Sequence, residues 1–375
     1  MESILAGPEA GHKTGELAKK CGFGCGGQRC AQLTARVESG RGGQIMPIRS
    51  LSLPRDLLPA ADMLAKAFQY PDHPEWGIQS DEQEQLVETI RRMRRIWPVV
   101  RLLQTVSPVL RDIARGFVWE ENGSMVGLTI AQREGTTKLW TIGTVGVLPE
   151  FRRRGIARQL VAATLDMVRS RGGTQATLGV IHGNTPAQAL YRSLGFVDYT
   201  GGTVYSLTPA GTVDQPALPP GYEEAPLAEF DWRTRYDLAK RIVPEEVQRF
   251  QPVVPGRYRA PWVARVLAPI FRFAEGARDH DIVLRRTLDR VTVARAGWTI
   301  SKSDKGTNSI RVTLDPAHAD LALYLVRRAL SPVLAKKPGL RVMFSVPTWM
   351  PAVAREAEGV GFVPRTVNKL MGIEI

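Results

Sequence analysis

The sequence predicts an α/β chain built from two similar units, and three observations carry that prediction. Strand-like and helix-like runs alternate through most of the 375 residues. One stretch, Thr141 to Phe196, reads as strand, glycine-containing turn, helix, strand and short helix in succession. Its landmarks then recur: Pro149 to Gly195 spans 46 positions, Pro316 to Gly361 spans 45, and both glycines precede a phenylalanine.

Residues 1–45 are rich in Gly, Lys and Arg and show no periodic apolar face, so they are expected to form a disordered tail, with Met46 as the functional start. All three cysteines, Cys21, Cys25 and Cys30, lie in that segment. An odd count without a histidine at ligand spacing argues against a disulfide framework and against a zinc site.

From Pro54, the residues Leu57, Leu58, Ala61, Leu64 and Phe68 fall on one helical face. A second helix is expected from Ser80, with Gln83 as capping partner and Leu86, Ile90 and Met93 on its apolar stripe. Trp76 lies in the loop between them, where it either closes a core edge or meets an acceptor. A helix over 99–114, interrupted at Ser107-Pro108, follows. Two strand-like runs, Phe117 to Trp119 and Val126 to Ile130, flank Glu121-Asn122-Gly123, a hairpin signal.

The central stretch opens with the small and apolar run Thr141 to Val147, which ends at Leu148-Pro149. Arg152-Arg153-Arg154-Gly155-Ile156-Ala157 then leads into a helix marked by Leu160, Val161, Thr164, Leu165 and Val168, up to Gly172-Gly173. At such a helix start the first N–H groups lack intrahelical partners, and the dipole adds about half a positive charge, so an anion is favoured. Ala176 to Ile181 is a second strand, followed by His182-Gly183-Asn184 and a short helix that carries Pro186 at its start and Tyr191 in its last turns.

These residues resemble the GNAT superfamily of acyl-CoA-dependent N-acyltransferases. Its loop reads Arg or Gln, two variable residues, Gly, one variable residue, then Gly or Ala, and Arg152 to Ala157 fits. Asn184, Ala187, Tyr191 and Gly195-Phe196 match the later part of its signature. The resemblance implies a mixed β-sheet with helices on both faces and acetyl-CoA as co-substrate. It implies cofactor contacts from Val145, Gly146 and Val147, whose backbone would pair with the pantetheine arm, and from Arg152, Arg153, Arg154, Gly155, Ile156, Ala157 and Arg158 around the pyrophosphate. It also implies Asn184, Ala187 and Tyr191 at the cofactor, with Tyr191 as the acid that protonates the departing thiolate. Asn184 is equally a good N-cap, and Tyr191 could instead pack the short helix. Positive charge from the loop arginines or from a helix end is expected to ease ionisation of Tyr191.

The base is less legible. Related ribosomal-protein acetyltransferases carry a glutamate five positions before the motif asparagine, where this chain has Gly179. Glu120, Glu121 and Glu134 lie near hairpin ends and are expected to be exposed, His182 sits in a turn, and waters could serve instead. A lysine-like amine costs about 4 to 5 kcal/mol to deprotonate at neutral pH and an α-amine about 1, so a missing base favours an acceptor of low pKa.

Pro209 to Pro220 reads as a linker. Beyond it, Trp232 to Val243 is expected to be helical, Ile282 to Leu284, Val291 to Ile300 and Ile310 to Leu314 to be strands, and 319–334 to be a helix. Aligning the repeat places Ala319, Ala322 and Tyr324 at the Arg152, Gly155 and Ala157 slots, and Ala357 at the Tyr191 slot. The sequence thus divides into a tail (1–45), a catalytic domain (46–208), a linker (209–220) and a degenerate repeat of that domain (221–375), an arrangement that resembles the tandem members of the family.

The net charge of +13 is spread along the chain without interleaved stacking aromatics, which disfavours nucleic acid as a partner and suits a polyphosphate cofactor. No apolar run reaches the roughly 18 residues of a membrane span, and the expected location is the cytoplasm. The expected function is transfer of an acetyl group from acetyl-CoA to a primary amine, on a small molecule or a peptide N-terminus, by direct attack in a ternary complex without a metal. A non-catalytic acyl-CoA-binding module is the alternative, favoured by Gly179 and opposed by Tyr191.

Overall fold

The computed structural model describes residues 47–70, 97–102, 104–105, 111–208, 213–260, 277–302 and 306–375, with 76, 211, 265 and 268 as isolated positions. The tail, the helix expected from Ser80 and the Ser107-Pro108 break lie outside the described residues. In chain order the first half contains β1 (Ile48–Ser50), α1 (Leu57–Ala67), β2 (Arg115–Glu121), β3 (Ser124–Arg133), β4 (Leu139–Val147), α2 (Ile156–Ser170), β5 (Gln175–Ile181), α3 (Thr185–Ser193) and β6 (Val197–Leu207). The second contains β7 (Tyr222–Pro226), α4 (Trp232–Ile242), α5 (Glu245–Gln248), α6 (Pro255–Tyr258), β8 (Ala277–Arg286), β9 (Thr292–Ser301), β10 (Asn308–Leu314), α7 (Ala322–Lys336), β11 (Val342–Pro347), α8 (Pro351–Gly359) and β12 (Val363–Glu374).

The hairpin forms where Asn-Gly directs it: Asn122 and Gly123 take φ of 51° and 74°, the twist that joins β2 to β3. Of the helix expected over 99–114, residues 99–102, 104, 105 and 111 are helical, and the chain turns over 112–114 into β2 at Arg115, where Gly116 pairs with Ile130. Successive residues of β2 face opposite ways. Val118 packs with Met63, Leu64 and Ala67 of α1, and Trp119 packs with Ile156 and Leu160 of α2. The two helices therefore cover opposite faces of the sheet, each through its apolar stripe.

All twelve strands form one sheet in the order β1-β2-β3-β4-β5-β12-β6-β11-β10-β9-β8-β7. Its centre is an exchange. β12, at the end of the second half, pairs with β5 from Asn368↔Ile181 to Glu374↔Gln175. β6, at the end of the first half, pairs with β11 from Val342↔Leu207 to Pro347↔Gly202. β6 and β12 pair with each other, so the linker marks a boundary in the sequence but not in the sheet. Val213 and Leu218 of that linker pack on the second-half core, which α7 builds through Leu325, Val326, Ala329, Leu330 and Val333. Among the described residues no helix is long and apolar enough to cross a membrane.

Candidate functional site

β4 and β5 run parallel and pair over four rungs, from Leu139↔Gln175 to Ile142↔Leu178, and then part. The cause lies on the other side of β4. The β3–β4 register shifts between Ile130 and Ala131, whose partners are Thr144 and Ile142, so Gly143 has no opposite residue and β4 bends there. β5 meanwhile stays straight against β12 through Gly179, Val180 and Ile181. Gly143 and Gly179 are both exposed where the strands separate, which leaves the vertex of the split bare of side chains.

Leu148 donates its N–H to the Val126 carbonyl at 2.9 Å. Backbone groups of an antiparallel strand alternate in direction, so those of Gly146 face β3 and those of Val145 and Val147 face the split. An extended ligand can add to such an edge as a further strand. A Cβ on Gly146 would come within 3.0 Å of Leu64 of α1, so this glycine permits the close approach of that helix rather than contact with a ligand.

The anion loop lies at the same end of β4. Arg153 and Gly155 hold φ of 64° and 75°, and Gly155 is the N-cap of α2 without a side-chain cap. The first N–H groups of α2 are therefore open to an anion. Space in front of Gly155 is clear, since a Cβ there would meet only the Gln159 amide nitrogen, at 3.9 Å. Ile156 anchors the turn in the core, and Ala157 packs beside it.

The four loop arginines do different work. Arg152 turns inward: Nη2 donates to the Ala67 carbonyl at 2.7 Å, Nε to the Val147 carbonyl at 3.3 Å, and the guanidinium lies 4.7 Å from the Tyr70 ring centre. Arg154 pairs with Glu121 at 3.6 Å and stacks on Phe151. Arg158 donates to Ser193 Oγ at 2.7 Å, which ties the start of α2 to the end of α3. Arg153 is exposed and, among the described residues, has no hydrogen-bond or ion-pair partner, which leaves its charge for a ligand.

On the β5 side, Asn184 caps α3, its Oδ1 accepting from the Ala187 N–H at 3.1 Å. That leaves its Nδ2 for another acceptor. Gln188, which sequence reasoning missed, is buried and donates to the carbonyls of Ile181 and His182, both at 3.1 Å, so it holds the turn after β5. No spacing rule singles it out, because its role exists only once the strand end folds back on the helix. His182 is exposed.

Tyr191 is buried against Phe196, with ring centres 6.0 Å apart, in the cluster on which Val145 and Ala187 also pack. That cluster brings the two sides of the split together. Burial pushes the Tyr191 phenol up, and the neighbouring Tyr70 phenol pushes it the same way. The raised phenol runs against the expected easing by loop arginines or a helix end, because burial dominates.

The three glutamates also differ from expectation. Glu120 accepts from Arg49 at 2.8 Å, which holds its carboxyl below the usual range. Glu121 accepts from Trp119 and pairs with Arg154. Glu134 is buried, not exposed, because the hairpin end folds under the segment around Arg257.

The second half repeats the split without its chemistry. β10 and β11 pair from Asn308↔Val342 to Ile310↔Phe344 and then part, but the β9–β10 register has no shift. In place of the glycine turn stands a 3₁₀ segment, Pro316–Leu321, capped by Asp315, which is itself paired with Arg241 at 3.0 Å. Asp315 takes the Leu148 slot of the repeat, and the N-cap of α7 is Leu321, with no glycine in the turn. Tyr324 is committed to Glu224 at 2.9 Å, and Ala357 is buried in the core.

Residues 79–196 match the model of the acetyltransferase (GNAT) family. This stretch, which holds the split, the glycine loop and Tyr191, is thus similar to the GNAT family. The mycothiol acetyltransferase of Thermobispora bispora is 36% identical over 146 residues, 38% of this chain and 43% of the relative. The ribosomal-protein-bS18-alanine N-acetyltransferase of Salmonella typhimurium is 40% identical over 60 residues, 16% of this chain and 40% of the relative. The matched stretches thus span less than half the length of these relatives. Among solved structures, a tandem GNAT protein from the clavulanic acid biosynthesis pathway superposes with a TM-score of 0.57 at 17% identity, covering 87% of this chain and 98% of that one. The fold is therefore that of two GNAT units in tandem, and the glycine loop belongs to the first.

Proposed function

We propose that the first split binds acetyl-CoA and that the chain transfers its acetyl group to a primary amine by direct attack in a ternary complex. One observation carries this reading: the unpaired edge of β4 at Val145 and Val147 runs directly into the uncapped, glycine-initiated start of α2. A single ligand with an amide-bearing arm and a pyrophosphate satisfies both. The match of residues 79–196 to the GNAT model and the names of the chain's relatives support acetyl transfer.

In this reading Val145 and Val147 hold the arm, the N–H groups from Gly155 to Arg158 and the guanidinium of Arg153 hold the pyrophosphate, and Asn184 offers Nδ2 to the arm from the β5 side. Ala187 keeps that side narrow. The bound thioester supplies an activated acyl carbon. Tyr191 gives its proton to the departing sulfur. A free phenol is a weaker acid than a thiol by about 1.5 pKa units, near 2 kcal/mol, and burial weakens it further. The same burial destabilises a departing thiolate, so desolvation narrows the gap that arginine charge does not. We place this activity in the cytoplasm.

An acetyl-CoA consumption assay against amines, aminoglycosides and peptides with free N-termini, with products weighed by mass spectrometry, tests the reading. Acetylated product supports it; tight acetyl-CoA binding without any product favours the acyl-CoA-binding module that Gly179 first suggested.

A further inference from the structure

Behind the vertex of the split lies a buried polar cluster drawn from both halves. Trp140 and Ile142 face α2, so Thr141, between them, faces the opposite side of the sheet, as does Thr177 between Ala176 and Leu178. Thr141 and Thr177 share the rung before the last that β4 and β5 form, and their hydroxyls lie 3.2 Å apart. Thr141 Oγ1 also donates to Glu134 Oε1 at 2.5 Å. A carboxylate thus sits one hydrogen bond from Thr141, two residues before Gly143, where the strands separate.

The second oxygen of that carboxylate is the informative one. Glu134 Oε2 lies 2.7 Å from Arg257 Nε, within ion-pair distance, yet it is buried and accepts no hydrogen bond, because the guanidinium N–H does not point at it. Arg257 comes from α6 of the second half and is the outer member of the pair, with 18% of its side chain exposed against 8% for Glu134. The surroundings are aromatic and hydroxylic. Gln251 donates to the Tyr199 hydroxyl at 2.7 Å, and Tyr258 packs on Tyr236, which packs on Trp232. Burial raises the phenols of Tyr199 and Tyr258, so both stay neutral donors.

A buried ion pair with poor hydrogen-bond geometry gains little for the fold, since removing two charges from water costs more than a misaligned pair returns. It is well suited to a ligand that carries a cation and an acceptor oxygen on neighbouring atoms. Such a ligand can exchange one misaligned contact for two aligned ones. We propose that Glu134 and Arg257 form the acceptor-binding pair, and that the acceptor bears its amine next to a carbonyl, as an amino-acid amide or a peptide N-terminus does. Its ammonium meets Glu134 Oε2, and its carbonyl oxygen takes the Arg257 guanidinium. Simple alkylamines and lysine side chains, which place no carbonyl beside the amine, satisfy only half of the pair. This inference rests on the acetyl-CoA reading for its direction towards the vertex, but the Glu134–Arg257 pair can be tested without the cofactor.

The experiment titrates alaninamide and isopropylamine, two probes of similar size that differ by the carboxamide, into the full chain by calorimetry, with affinities expressed per protonated amine. Wild type should bind alaninamide at least tenfold tighter than isopropylamine. Arg257→Gln should abolish that preference, and Glu134→Gln should weaken alaninamide at least tenfold. The double variant E134Q/R257Q removes both charges together, so neither is left buried and unpaired; with wild-type circular dichroism it should bind neither probe. Equal affinity of wild type for the two probes, or unchanged alaninamide affinity in the double variant, overturns the proposal. A parallel acetyl-CoA titration of the same samples separates the two readings. Loss of acetyl-CoA binding with alaninamide binding intact strikes the cofactor site alone, and the converse strikes the Glu134–Arg257 pair alone.

Discussion

Arg152 Nη2 donates to the Ala67 carbonyl at 2.7 Å, so the first residue of the anion loop is fastened to the last turn of α1. The same side chain reaches back to Val147 and covers Tyr70. Its role is to set the angle between strand end and loop.

Arg152→Ala should therefore act on the frame more than on the anion. Loss of a hydrogen bond from a charged donor is expected to cost about 2 kcal/mol of stability, readable in urea unfolding. Arg153→Ala should leave unfolding unchanged and weaken acetyl-CoA, because its exposed charge serves no internal partner.

Tyr191→Phe keeps the ring against Phe196 and removes one proton. Turnover with the best acceptor should fall by roughly a hundredfold, with acetyl-CoA affinity and melting temperature unchanged. Because burial raises the phenol, its protonated form persists through the assay range, and the wild-type rate should show no alkaline limb from Tyr191 below a pH of about 10. Full turnover in the variant would make Tyr191 a packing residue.

The exchange of β6 and β12 couples the halves. Deleting residues 363–375 removes the strand that straightens β5 opposite the split, and exposes both β5 and β6 as edges. The truncated chain should lose cooperative unfolding of both halves and bind no acetyl-CoA, by circular dichroism and calorimetry. A truncated chain that retains a folded first half would show the exchange to be dispensable.

How much of this was legible in the sequence follows from how local each feature is. The loop, the α2 stripe, the Asn-Gly hairpin and the Asn184 cap depend on residues within a few positions of one another, and their spacing reveals them. The bend in β4 was hidden because Gly143 matters only through its register with Ile130 and Ala131. β12 was missed altogether: Pro364, Arg365, Asn368, Lys369 and Gly372 break its alternation, and its strand character comes from two neighbours nearly two hundred residues upstream. Glu134 was read as a solvent-facing hairpin residue because nothing near it in sequence announces Arg257. The degenerate second half, by contrast, was readable from single positions, since Ala319, Ala322 and Tyr324 stand where the loop has Arg152, Gly155 and Ala157, and Ala357 stands at the Tyr191 slot.

The most direct test of the account is an acetyl-CoA titration by calorimetry of the wild-type chain and of Gly155→Glu. One site per chain is expected, because among the described residues only the first split joins an open strand edge to an anion loop. The variant, folded by circular dichroism, should lose that site, since a glutamate at a φ of 75° strains the turn and places negative charge against the pyrophosphate. Two sites per chain, or an unchanged affinity in the folded variant, would contradict it.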